Sequence, residues 1–185
     1  MGVSQKTAVG TFHSSSKLST KKLVMASFLS ALTIVLTRYG SIMLAGGSIR
    51  LGFGNLPIIL SGILLGPIAG ALTGVVSDLL GVLILSQGGF HPGFTLSAAL
   101  TGLIPGMIVA FNQRNKYSFL NILMANVLVY LVISLGLNTY WLTQLLGNSF
   151  FVLLPARALA QGIVTVITIV LIFFLSKYFK YWDNK

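Results

Sequence analysis

The chain has 185 residues, 55% of them hydrophobic and only 8% charged, with a mean hydropathy of +0.93. Soluble globular chains carry about a quarter charged residues, so a water-soluble domain is excluded. Cysteine is absent, which removes disulfide frameworks, thiolate catalysis and cysteine-ligated metals together.

Residues 1–20 are polar, rich in Ser, Thr and Lys, and without hydrophobic period, and they read as a tail outside the bilayer. Lys21 and Lys22 precede an apolar run too long for the core of a signal peptide, so it reads as the first span, about Leu23 to Met43. A short second stretch, about Leu56 to Leu65, is cut from the third span, Ile68 to Leu85, by Gly66 and Pro67. Being too short to cross upright, the second is expected to tilt or to begin within the preceding loop. The fourth span runs from about Phe94 to Phe111, the fifth from Phe119 to Trp141 and the sixth from Phe151 to Tyr178. The expected fold is an all-α membrane protein of six transmembrane helices, with residues 21–182 as its one embedded domain.

The formal charge of +10, from twelve Lys and Arg against Asp78 and Asp183, fits nucleic acid, a membrane surface or an anionic ligand. Position separates these. With six spans, Lys6, Lys17, Lys21, Lys22, Arg114, Lys116, Lys177, Lys180 and Lys185 fall on one face. Lys and Arg are retained on the cytoplasmic side, so both termini are expected there, in the membrane of a prokaryotic cell, and no nucleic-acid partner is called for.

Arg38, Arg50 and Arg157 remain, with Asp78 as the sole acid within a span. At a helical rise of 1.5 Å, Arg38 lies about 24 Å beyond Lys22, Asp78 about 16 Å beyond Pro67 and Arg157 about 30 Å from Lys177. All fall at or past the midplane toward the outside. A charge within a span costs a few kcal/mol and normally faces protein or a wet cavity. Snorkelling of Arg38 and Arg157 to the headgroups, or an Arg157–Asp78 ion pair that only ties helices together, is the plainer alternative. The outer connections also carry Gln87, His91, Asn138, Gln144 and Asn148 among Phe53, Phe90, Phe94, Tyr140 and Trp141. An interfacial aromatic belt accounts for Tyr140 and Trp141 as well as a binding site does. Arginines, one aspartate, planar rings and amides on one side of the membrane fit a cavity for an anionic, partly aromatic small molecule.

Gly62, Gly66, Gly70 and Gly74 recur every four residues, as do Gly102 and Gly106, marking seams where backbones approach. Ala26 with Ser30, and Ser27 with Ala31, form small-residue pairs in the first span. No G-x-x-x-x-G-K-[ST] phosphate loop occurs, so ATP-driven uptake would need another subunit. No H-E-x-x-H helix and no Ser–His–Asp set is available, and neither enzymatic activity nor a metal or cofactor is expected. A lone intramembrane carboxylate and no internal repeat give little support to an ion-coupled carrier.

The run "RLGFGNLPIILSGILLG" at 50–66, continuing "PIAGALTGVVSDLLG", and "FHPGFTLSAALTGLIPG" at 90–106 resemble the substrate-binding S component of energy-coupling factor vitamin transporters, in particular its folate-specific branch. The resemblance covers about residues 20 to 180. It departs in the first helix, where Ser27 precedes Ala31 in place of an Ala-x-x-x-Ala pair, and in the length of the polar tail.

The resemblance implies a subunit that captures a vitamin from outside and docks on a transmembrane coupling protein with two cytoplasmic ATPases. It also implies toppling in the lipid, with Gly46 to Gly54 and Gln87 to Gly93 as gates. Asp78 is then expected at the pterin edge, Arg38, Arg50 and Arg157 at the glutamate or in closing the site, and Phe53, Phe90, His91, Phe94 and Trp141 around the rings. Ala26, Ser27, Ser30 and Ala31 are expected at the coupling-protein seam. An S component for pantothenate or riboflavin, an independent channel or carrier, and a structural membrane subunit stay open as alternatives.

Overall fold

In a computed structural model, residues 20–44, 49–84, 90–112 and 117–183 are described. The tail 1–19, the first three residues of each expected gate (46–48 and 87–89), Arg114, Lys116 and Lys185 lie outside them. Six helices form the body: α1 (Thr20–Arg38), α2 (Asn55–Leu65), α3 (Pro67–Ile84), α4 (Pro92–Phe111), α5 (Phe119–Leu146) and α6 (Phe150–Asp183). All but α2 are long and apolar enough to cross a membrane. Many large apolar side chains point outward, with Phe111 91% and Leu83 81% exposed, as suits a body whose solvent is lipid.

Two elements depart from an all-helical reading. The first helix stops at Arg38 instead of running to Met43, and the chain turns at Gly40 into an antiparallel hairpin of β1 (Ser41–Leu44) and β2 (Ile49–Gly52). Ser41 pairs with Gly52 and Met43 with Arg50. The hairpin lies tight on α1, because a Cβ on Gly52 would overlap Ser41 and one on Gly54 would overlap Thr37. These two glycines of the expected gate are therefore required for close approach.

The second departure is inside α5, where Val129–Leu137 is π-helical between α-helical Phe119–Leu128 and Asn138–Leu146. The helix also outruns the expected fifth span by five residues, continuing through Trp141 to Leu146 and closing on left-handed Gly147 at φ 69°.

The short α2 is the most enclosed helix, with every residue from Leu56 to Ile63 buried. Eleven residues span only about 16 Å, half of a hydrocarbon core, so α2 is wrapped by protein. It ends at Gly66, whose φ of 98° favours glycine and reverses the chain into Pro67 of α3.

Glycines on α2, α3 and α4 then let three backbones meet. A Cβ on Gly62 or Gly70 would strike the Gly102 carbonyl, and one on Gly74 the carbonyl of Ala98. Away from the hairpin, Ile63, Val109, Ile122, Ile169 and Ile172 form a buried cluster where α2, α4, α5 and α6 converge. One end of the bundle is thus packed solid; the hairpin end is hollow.

Gly102→Ala places a methyl on the Gly70 backbone, which cannot yield as a flexible side chain would. Overpacking of this kind costs about 1–3 kcal/mol. The expected result is a lower melting temperature for the purified protein in detergent; an unchanged one contradicts this account of the seam.

Candidate functional site

A cavity of about 750 Å³ opens at the hairpin end, within the range of about 300–1,000 Å³ usual for small-molecule sites. It is framed by the last turns of α1, α3 and α5, the first turns of α2, α4 and α6, and strand β2. Arg38, Arg50, Asp78 and Arg157 all line it, giving a net charge of +2, together with Phe90, His91 and Phe94.

Arg38 ends α1 and is buried, its guanidinium laid against Gly81, three residues beyond Asp78 on α3. A Cβ on Gly81 would sit 3.0 Å from Arg38 Nε and 3.1 Å from Nη2, so the missing side chain makes room for the guanidinium. Asp78 accepts a 2.7 Å hydrogen bond from Thr95 Oγ1 of α4. This orients the carboxylate and ties α3 to α4 above their glycine seam.

Arg50 stands on β2, and its carbonyl accepts a 2.7 Å bond from Gln161 Nε2, anchoring the hairpin to α6. Burial pushes the Arg50 guanidinium below its ordinary pKa, nearby Arg38 acts in the same direction, and Asp78 opposes both. These three charges therefore share one corner.

Arg157 belongs to another corner. Only 5% exposed on α6, it donates from Nε to Thr139 Oγ1 at 3.0 Å and from Nη2 to the Ser134 carbonyl at 3.2 Å. Ser134 lies in the π-helical part of α5 and Thr139 two residues past its end. Two neutral oxygens thus help to hold the buried guanidinium. Neither Arg38 nor Arg157 snorkels: both are buried and both face the cavity.

His91 caps α4. Its Nδ1 accepts from Gly93 N–H at 3.1 Å, which leaves the proton on Nε2 to donate to Gln144 Oε1 at 3.1 Å. The start of α4 is thereby linked to the end of α5. Trp141 lies beneath, its ring 5.2 Å from His91, in space that Gly93 leaves by lacking a Cβ.

Two residues expected to stack on a ligand stand behind the wall. Trp141 donates through Nε1 to Ser97 Oγ at 3.2 Å and supports the lining from outside it. Phe53 is half-buried, gives its carbonyl to Leu56 N–H at 3.0 Å and is likewise off the lining. Tyr140 is 49% exposed and faces away, as an interfacial residue does.

Sequence reasoning passed over Thr33, Thr37, Ser97 and Thr101, which line the cavity from α1 and α4. Each pair is spaced by four residues, so a polar stripe on an apolar helix was the available signal. Gln161 repeats that spacing, four residues after Arg157 on α6.

The small-residue pairs of α1 point in different directions. Ser30 is buried and its hydroxyl reaches the carbonyls of Ala26 at 2.9 Å and Thr73 at 3.4 Å, so this pair faces α3. Ser27 and Ala31 are exposed.

Over residues 17–178 the chain matches the family described as ECF-type riboflavin transporter, S component. It is 34% identical over 151 residues to folate transporter FolT of Clostridium novyi (strain NT), covering 82% of this chain and 85% of that protein. With folate transporter FolT of Leuconostoc mesenteroides it shares 27% identity over 164 residues, 86% of each chain. The fold superposes on FolT crystallised with folic acid at a TM-score of 0.75 and 25% identity, over 86% of this chain and 94% of that one. The S component for biotin shares the fold at a TM-score of 0.67 and 18% identity, over 85% of this chain and 91% of that one.

Thr139→Val keeps the shape at α5 and removes the acceptor of Arg157 Nε. Loss of a hydrogen bond to a charged group is expected to lower stability by about 1.5–3 kcal/mol. An unfolding midpoint equal to that of the parent protein contradicts the role given to this contact.

Proposed function

Since the chain belongs to the S components of ECF-type transporters, we propose that it is the folate-binding subunit of such a transporter, a multi-pass protein of the cell membrane. The observation that carries this reading is the cavity itself: three guanidiniums and one carboxylate, with aromatic side chains, at the hollow end of the bundle. The 34% identity to a folate transporter and the fold shared with FolT bearing folic acid support the same ligand.

Folate offers what this lining demands. Its pterin presents adjacent N–H donors to a carboxylate, which assigns Asp78 to that edge. Its glutamate carries two carboxylates, which balance the net charge of +2. The rings pass between Phe90, His91 and Phe94, with Trp141 holding the wall from behind. Riboflavin, named in the family's description, is uncharged and brings no carboxylate to balance the net charge of +2 in a low-dielectric cavity. Pantothenate has one carboxylate and no ring to stack. Uncharged or singly charged vitamins therefore fit this lining poorly.

Binding is the first half of transport. Without a phosphate loop of its own, the subunit draws energy from a coupling protein and two ATPases, and catalyses no reaction itself. The exposed Ser27 and Ala31 on α1 are the docking seam, since a small-residue face lets another helix approach closely. Ala26 and Ser30 serve packing against α3. Both termini lie in the cytoplasm and the cavity faces outward, as the positive connections require.

Folate is expected to raise the melting temperature of the purified protein while riboflavin and pantothenate leave it unchanged. Asp78→Ala abolishes that protection yet still yields folded protein; undiminished protection removes the pterin assignment. Orientation is read from single cysteines, since the chain has none of its own. Ser149→Cys is expected to react with an impermeant maleimide on intact cells, and Asn112→Cys only after permeabilisation; the reverse pattern inverts the topology.

A further inference from the structure

Asp78 feels the charges of Arg38 and Arg50 in its corner of the cavity, yet the hydrogen bond it accepts comes from an uncharged donor, Thr95 Oγ1 at 2.7 Å. Thr95 does not itself line the cavity and meets the carboxylate at Oδ2. Asp78 is half-buried and does line the cavity, and its other oxygen, Oδ1, is not among the buried unpaired side-chain atoms of the described residues. One oxygen is thus held from behind the wall while the other stays accessible.

Thr95 departs from the habit of its neighbours in this. Thr33, Thr73, Ser77 and Thr101 each donate to a carbonyl three or four residues back on their own helix, the usual resting place of a helical hydroxyl. Thr95 instead donates across to α3. The glycine seam fixes the meeting: Gly74 lies one turn before Asp78, Ala98 lies three residues after Thr95, and a Cβ on Gly74 would overlap the Ala98 carbonyl. Helices in backbone contact leave little freedom to slide, and a β-branched side chain has few rotamers to choose from.

Resting on the folate reading above, we propose that Thr95 is a positioning residue for the pterin: by holding Asp78 Oδ2 it sets the plane of the carboxylate and offers Oδ1 to the N–H edge of the ring. Without the hydroxyl the carboxylate is free to turn toward Arg38 and Arg50, whose attraction is strong in a site of low dielectric. A pterin would then have to turn it back, at a cost taken from its affinity. Thr95 therefore acts on the pterin half of the ligand, through Asp78, and leaves the glutamate half to the arginines.

Displacement of labelled folate from the purified full chain by pteroate, which lacks the glutamate, and by p-aminobenzoylglutamate, which lacks the pterin, tests the assignment. Thr95→Val keeps the shape and removes the donor; affinities for folate and pteroate are expected to fall about tenfold, equivalent to about 1.4 kcal/mol, and that for p-aminobenzoylglutamate to stay within about twofold. Thr95→Ala, which sets no methyl against the carboxylate, is expected to give the same split and serves where valine is not tolerated. Thr95→Ser restores the hydroxyl and is expected to bring folate affinity back to within about threefold of the parent protein, a rescue that a loss of helix packing would not show. Equal losses for all three ligands, or a loss that persists in the serine variant, overturn the assignment. Unchanged folate affinity in the valine and alanine variants, with the parent protein binding folate, overturns the inference alone. A parent protein that binds no folate overturns the folate reading and the inference with it.

Discussion

A guanidinium at membrane depth costs a few kcal/mol unless protein or water surrounds it, and Arg38 and Arg157 are both buried in helices that span the bilayer. Much of the architecture at the hairpin end follows from satisfying them. Gly81 gives up its side chain so that Arg38 can lie on α3. The π-helical stretch of α5 carries the Ser134 carbonyl that, with the hydroxyl of Thr139 just beyond it, receives Arg157. The hairpin brings Arg50 over the same space and is pinned by Gln161.

The opposite end makes this arrangement possible. Glycines at 62, 70, 74 and 102 draw α2, α3 and α4 together until backbones touch, and an isoleucine-rich cluster closes the bundle below. Close packing with few adjustable side chains forms a stiff base. Helix ends rising from such a base hold their polar groups apart at set positions, so that a ligand meets a site already assembled. The bond between His91 and Gln144 joins two of those ends across the rim.

A cavity held at net +2 attracts a dianion and is relieved by it. Before binding, Arg50 and Arg38 oppose one another's charge while Asp78 offsets part of it. On the proposed reading, two carboxylates of folate complete the balance, so that capture and stabilisation of the loaded subunit are the same event.

Composition alone determined that this is a membrane protein, because 8% charge cannot clothe a soluble surface. The spans, their number and the candidates Arg38, Arg50, Asp78 and Arg157 were likewise legible, since a charge among apolar residues stands out wherever the chain goes. What only the tertiary structure decided depends on contacts between residues far apart in sequence. Ser41 pairs with Gly52 to make a hairpin of residues that read as the end of a span and its loop, and Arg157 reaches back to Thr139 to tie α6 to α5. Phe53 and Trp141 carry the right chemistry for stacking, yet neither lines the cavity. Hydropathy reports what each residue tolerates; the direction in which its side chain points is set by partners that no local pattern names.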